Sequence, residues 1–573
     1  MNTLRLGVFR GVSLFIFLSV ATIAHAEFDI CSKMEDTTFK AYCLEHFDVN
    51  GDGILSIQEG DDVTRIDVSG NFQSLGYIGS LKGIEYFSNL NTLLCSYNQI
   101  SALDIKMNTL LDTLCCDHNQ LVALDVGECF ALKLLNCSFN NLSALDLTGC
   151  IYLNWLYCAN NHLSELDLRN NPILYGLSCA NNHLTALKLV KNSALMNLDC
   201  GNNQLETLDV SKNVALTELI CNHNLLTALD MTKNIALVRL FCNNNQIITL
   251  DISKSKALKE LYCFSNQIYY LNVSNNTALK ELYCYSNQVS YLDITKNTAL
   301  KKLYCYSNQL PALDASKCPN LIELSCYGNQ ITALNVTGCT HLKDLNCYSN
   351  QLVSLDLSTN VELEVLTCRH NRLFELNTTK NVALRNLDCA ANRILALDLS
   401  QNVNLISLNC YSNFLTALDV SKNAELGYLR CCNNQIAALD LTNNTVLKNL
   451  NCYSNQLTSL DLSNNAELEW LWCFDNKLDS LDLSHCVALK DLSCDNNNIT
   501  SLDISKNLAL RSIDCDKRLA PLIDRSKNEN LRWLNSVAID PPKKPDPEKE
   551  KKDTPKPTSK TATKPAPKTP KKK

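Results

Sequence analysis

Twenty-one cysteines, from Cys95 to Cys515, fall 21 residues apart without one slip in register. A chain held to one period over that length stacks coils, each burying its apolar face against its neighbours, and needs no single large core. The 573 residues therefore do not translate into several globular domains, as length alone would suggest. One unit runs from Leu300 to Asn320. Counting from Leu300, positions 1, 4, 6, 11, 14 and 16 are apolar, position 9 is Asn, and position 19 is Asn or Cys. The unit is two near-copies in tandem, and each alternates in the manner of a strand around its second leucine. Each half is expected to supply a short parallel strand, giving two facing parallel sheets with little helix over about 21 coils of 21 residues.

The ladder cysteine at position 6 points inward, where a thiol packs as a small hydrophobe. In-register parallel strands hold equivalent Cβ atoms about 4.8 Å apart, beyond the ~3.8 Å that a disulfide prefers. Reduced, inert thiols are expected, and a thiolate metal store is not, since it needs converging ligands. The Asn at position 9 can donate and accept within a buried turn. Position 19 is expected to do the same for the second half, with Cys129, Cys150, Cys318, Cys339 and Cys486 replacing Asn. The Asp common at position 15 stacks like charges, for which neighbouring Ser, Thr and Lys compensate.

The ends differ from this body. Residues 1–26 carry Arg5 and Arg10, a short apolar run and Ala24-His-Ala26, the pattern of a signal peptide. The apolar run is shorter than the ~20 residues of a membrane span. Residues 27–77 form a cap, with Phe39, Tyr42, Cys43 and Phe47 on one helical face and Asp36 or Thr37 as the helix start. Residues 48–59 follow the EF-hand loop. Asp48, Asn50 and Asp52 offer side-chain oxygens, Ile54 its carbonyl, Ser56 the ninth position and Glu59 a closing carboxylate, so structural Ca2+ is expected there. The same Ser56 and Glu59 also make a capping box. Cys31 and Cys43 lie off the period and are the disulfide candidate for an oxidising compartment. The first repeat is introduced by Leu81, Ile84, Phe87 and Leu90, without a ladder cysteine. The solenoid and its C-terminal cap are placed at 78–534. The tail, 541–573, holds 12 Lys against 4 acids among Pro, Thr and Ala, and is expected to be disordered. It opposes an acidic body (net charge −7 overall) and suits electrostatic contact with an anionic cell-surface polymer.

The cysteine ladder on a 21-residue period, with its nested Leu-Asp-Leu-Ser half, resembles the internalin J group of bacterial surface leucine-rich repeat proteins over Ile78 to Leu534. The resemblance implies a leucine-rich repeat solenoid, mostly β, secreted or displayed at the cell surface, that binds a host or neighbouring-cell ligand. The chain departs from that group in its EF-hand-like loop and in lacking a Leu-Pro-x-Thr-Gly sorting signal. Covalent wall attachment is therefore not expected, and a Gram-negative source fits.

Function is expected on the outward positions of the first half. Phe241, Tyr262, Tyr283 and Tyr304 recur at position 5, and Phe264, Tyr285, Tyr306, Tyr327 and Tyr348 at position 7. Smaller patches hold Tyr453, Trp470, Trp472 and Phe474, and Trp155 with Tyr157. Such rings dominate protein interfaces, their flat faces suit sugars, and they also simply stabilise a parallel sheet. The chain carries no Gly-x-Ser-x-Gly, Walker loop or His-Glu-x-x-His, so no enzyme is expected. The expected role is protein or glycan binding at a cell surface, with a periplasmic or secreted scaffold or inhibitor as the alternative. Nucleic acid is not an expected partner at this charge.

Overall fold

The computed structural model describes residues 28–70 and 76–538. The signal-peptide reading of 1–26 and the tail reading of 541–573 lie outside those residues. The chain divides into two compact units, one ending at Leu292 and one beginning at Asp293.

The first unit opens with a 3-10 turn, Ile30–Lys33, and helix α1, Thr37–Phe47. Asp36 caps α1 by accepting from the Thr38 and Phe39 N–H groups. Phe39, Tyr42 and Cys43 are its buried face, and Phe47 meets Phe87 edge-on with ring centroids 6.0 Å apart. Helix α2, Ile57–Asp62, leaves the 48–59 loop through a complete Ser56/Glu59 capping box.

Strand β1, Arg65–Asp67, pairs in parallel with β2, Thr92–Leu94, so that Ile66 faces Leu93. The ladder thus starts inside the stretch read above as cap. Val63, Ile66 and Val68 are buried at positions 1, 4 and 6, and Val68 stands where later coils put cysteine. From β2 onward three-residue strands repeat at the 21-residue register, Leu114 lying between Leu93 and Leu135, as far as Glu281–Tyr283. In the second unit the same parallel ladder runs from Lys302–Tyr304 to Ser512–Asp514 and Trp533–Leu534. It closes with a two-residue antiparallel return, Leu534 facing Val537.

Each coil from that of Cys95 to that of Cys494 turns after its cysteine through a left-handed residue at position 8, such as His118 (φ 54°), Asn202 (φ 52°) or Ala391 (φ 51°). Among the described residues, Gly328 (φ 61°) and, in the first coil, Gly70 (φ 80°) meet this position with glycine. Elsewhere Asn, Ser and His recur, and Asn tolerates that backbone better than most. The neighbouring Asn holds the turn. Asn182 Nδ2 donates to the carbonyls of Cys158 (3.0 Å), Cys179 (3.1 Å) and Ala180 (3.3 Å). Its Oδ1 accepts from Leu163 N–H (2.9 Å). Donor and acceptor are both used, as expected for position 9.

Position 19 departs from expectation. Asn192 Nδ2 donates to Leu168 O (3.1 Å) and Asn171 O (2.9 Å), but its Oδ1 takes no hydrogen bond from the protein. Asn171 and Asn213 repeat this arrangement in the adjacent coils. One exception locates the acceptor: Thr378, at position 16 of the preceding coil, donates its hydroxyl to Asn402 Oδ1 at 2.9 Å. The cysteines that replace Asn supply the same donor, with Cys339 Sγ 3.2 Å from Ala315 O and Cys150 Sγ 3.5 Å from Val126 O. A thiol brings no carbonyl oxygen to bury. Position 19 therefore asks for a donor alone.

The second facing sheet is present only in part. Among the described residues, Ala228–Asp230 pairs with Thr249–Asp251, and Ala312–Asp314 with Ala333–Asn335. Elsewhere the leucine at position 14 still points inward, as Leu187 and Leu397 do, on an irregular backbone. The extended run is short because position 15 closes a turn: Asp209 Oδ1 takes the Ser211 N–H at 2.9 Å, and most coils repeat this bond. The ladder thiols are unbridged and buried, as expected. Burial pushes Cys137, Cys242 and Cys347 up to about 12.

Candidate functional site

The outward face of the strand ladder carries the predicted aromatic residues, and the two units are arranged alike. In the first, Phe241, Tyr262 and Tyr283 stack in one column, with centroids 4.6 and 4.3 Å apart. Phe264 and Tyr285 stack beside them at 4.3 Å. Tyr262 donates its hydroxyl to Glu281 Oε2 at 2.7 Å. In the second unit, Tyr306, Tyr327 and Tyr348 stack at 4.2 and 4.4 Å, and the Arg369 guanidinium covers the Tyr348 ring at 4.8 Å. Tyr304 donates to Glu323, which also pairs with Lys302 at 3.0 Å. The register explains the columns: residues 21 apart sit on adjacent strands and project in one direction.

All nine rings are half-buried, and the eight stacked above lie face to face with a neighbour. The columns therefore offer ring edges and hydroxyls, and their flat faces are spent on one another. The patch near the C-terminal end is more open. Trp470 and Trp472 are 38% and 41% exposed, Trp472 Nε1–H donates to Asp491 at 2.8 Å, and Lys490 lies 5.3 Å from the Trp470 centroid.

The 48–59 loop has the turn that its glycines predict, with φ 72° at Gly51 and 80° at Gly53. Asp48 accepts from Gly51, Asp52 and Gly53 N–H, Asn50 from Asp52 N–H, and Asp52 from Ile54 N–H. The Ser56 N–H and hydroxyl, with a smaller contribution from Val49 N–H across the loop, donate to Glu59 and hold its carboxyl below the usual range. The donor set has the kind and order that calcium takes, on a loop between two helices. Among the described residues, however, no three His, Cys, Asp or Glu side chains converge as a metal-holding group. Sequence reasoning missed how the lone loop is covered. Leu55, its eighth residue, accepts from Ile30 N–H at 2.8 Å and donates its own N–H to Asp29 at 3.2 Å. The Asp29–Ile30 segment thus occupies the loop's open backbone edge. Cys31 and Cys43 are both buried in this cap, and both are thiols. Burial, then the Asp29 charge, pushes Cys31 up to about 11.

No family model and no curated protein matches the chain. Solved structures do. The functional domain of InlJ from Listeria monocytogenes, which includes a cysteine ladder, is 29% identical over 75% of this chain and 82% of that one, with a TM-score of 0.49. YopM from Yersinia enterocolitica is 23% identical over 83% of this chain and 91% of that one, with a TM-score of 0.60. The plant peptide hormone receptor RGFR1, in complex with RGF2, is 18% identical over 84% and 83% of the two chains, with a TM-score of 0.66. The chain shares the leucine-rich repeat solenoid fold of the last two. Among the described residues no helix is long and apolar enough to cross a membrane.

Proposed function

We propose that this chain is an exported, non-enzymatic scaffold that binds a protein partner at a cell surface through the strand face. The observation that carries the reading is the pair of aromatic column sets, flanked by Glu281 in one unit and by Lys302, Glu323 and Arg369 in the other. Ring edges, tyrosyl hydroxyls and paired charges are the groups that make protein hot spots. RGFR1, which shares the fold, is described in complex with RGF2. Export rests on the 1–26 pattern, and a periplasmic or secreted scaffold or inhibitor is the alternative setting.

The decisive experiment is a pull-down from host or neighbouring-cell surface extract with the wild type and with Tyr285→Ser/Tyr327→Ser, the fold being checked by circular dichroism. A partner held by the wild type should be lost or weakened at least tenfold by the variant. Equal retention removes the columns from the reading. Labelling of intact cells separates surface display from the periplasm.

The same reading gives calcium a structural place. Asp48, Asn50, Asp52, Ser56, Glu59 and the Ile54 carbonyl would hold it, and its charge would offset three carboxylates on one short loop. The melting temperature should rise with calcium and fall with chelator in the wild type but not in Glu59→Gln. Identical melting in both conditions removes the metal. In an oxidising compartment Cys31 and Cys43 would close the cap, which non-reducing peptide mapping reads directly.

A further inference from the structure

The aromatic residues of the strand face are not used alike. In the columns Phe241, Tyr262 and Tyr283, Phe264 and Tyr285, and Tyr306, Tyr327 and Tyr348 stack ring on ring. Trp155 instead leans across onto the next strand, and Gly176 is what allows it. A Cβ at 176 would sit 2.1 Å from the indole ring. Trp155 and Tyr157 are parallel to within 7°, with centroids 6.3 Å apart, wider than the 4.6 Å of Phe241 on Tyr262 or the 4.4 Å of Tyr327 on Tyr348. Together they line a half-open surface cavity of about 330 Å³ in the first unit, with Gly176 and Ser178 on the next strand and Asp199 and Glu218 beyond them. Most other coils put larger side chains at the positions of Gly176 and Ser178, so the notch is local to this stretch.

Its polar groups are few and lie on the strands beyond Trp155. Asp199 accepts from Gly201 N–H at 3.2 Å and from the Ser178 hydroxyl at 3.3 Å. No cation pairs with it among the described residues. Glu218, one strand further on, is paired with Arg239 at 2.9 Å. A carboxylate can accept from two neighbouring hydroxyls, a serine hydroxyl can donate or accept, and an indole takes the C–H face of a saturated ring. A cavity of this size with aromatic walls and a few fixed polar groups is the usual form of a small-ligand site. Asp199 and Glu218 oppose a ligand carrying carboxylate or sulfate.

We propose that the Trp155 notch binds one pyranose unit of an uncharged saccharide, stacked on the indole with its hydroxyls on Asp199 and Ser178. This site is separate from the tyrosine columns and does not depend on the protein-binding reading. The test is saturation-transfer NMR of the full chain with cellohexaose, chitohexaose, maltohexaose and polygalacturonate. At least one neutral hexamer should bind, with affinity reduced at least tenfold in Trp155→Ala and in Asp199→Ala. Gly176→Val, which displaces the indole while keeping every polar group, should do the same. Tyr285→Ser should leave saccharide binding within twofold of wild type. Thermal melting checks each fold, and Asp199→Ala serves should the Gly176 variant fail to fold. The proposal is overturned if none of the three hexamers binds, if binding survives Trp155→Ala, or if polygalacturonate binds as well as they do.

Discussion

Each coil turns twice, and the two turns are held by different chemistry although both use asparagine. After the cysteine, Asn at position 9 spends its amide completely, donating to three carbonyls and accepting one N–H. After the second half, Asn at position 19 donates twice and leaves its oxygen without a protein donor, while Asp at position 15 ties down the backbone between. The sequence carries the mark of that difference. Position 9 is Asn in each coil from Asn98 to Asn497, whereas position 19 admits Cys and, at Ser255, serine. The first turn uses several donations and one acceptance, which an amide with two N–H hydrogens and a carbonyl oxygen supplies, whereas a small buried donor serves in the second.

The largest test of this contrast is Asn182→Ala. It strands the Leu163 N–H and the carbonyls of Cys158 and Cys179 in a buried turn, and should cost about 4 kcal/mol in urea unfolding. A loss below about 1 kcal/mol would mean that the two turns are not held differently. Acid comes next. Backbone N–H bonds from position 17 lower the carboxyls of Asp209, Asp230 and Asp461, and Arg169 with its own N–H brings Asp167 to about 2. A carboxyl lowered in the folded state adds stability that is complete above its unfolded value, about 4, and is lost as pH falls through the folded value. The second turn should therefore loosen between about pH 4 and 2 while the first, which has no titrating group in its amide bonds, holds. Pepsin mapping at pH 2.5 should find cuts gathered at positions 15–19, and cuts spread evenly over both turns would contradict the contrast. The smallest effect is a pair. Asn192→Ala loses two donors and should cost about 2 kcal/mol, whereas Asn192→Cys, copying Cys339, should stay within about 1 kcal/mol of wild type.

Much of this architecture was legible in the spacing. One cysteine per 21 residues sets the register, and the apolar positions around it name the inward side chains from Leu93 to Leu531. The coil at Val63, Ile66 and Val68 escaped because cysteine served as the ruler and that coil has valine in its place, 27 residues ahead of Cys95. Position 19 was misjudged because residue type does not reveal whether both ends of an amide find partners. The columns at Tyr262 and Tyr327 were legible as rows, but their loss of free faces follows from ring-to-ring packing, which one-dimensional spacing does not contain. The Trp155 notch depended on a glycine one coil later, a signal visible at Gly176 only once the register is taken as a neighbour list.

The thiols have a temporal consequence. Folded, they are shielded and stay protonated, with Cys242 and Cys347 at about 12. A coil that opens returns them to the ordinary range near 8.5, where oxidants and disulfide exchange reach them. With a thiol in every coil from Cys95 to Cys515, each opening risks a mispaired bridge that forbids closing again. In an oxidising medium the molecule then has a lifetime set by its rate of opening, and the cysteine row acts as a clock that runs in one direction.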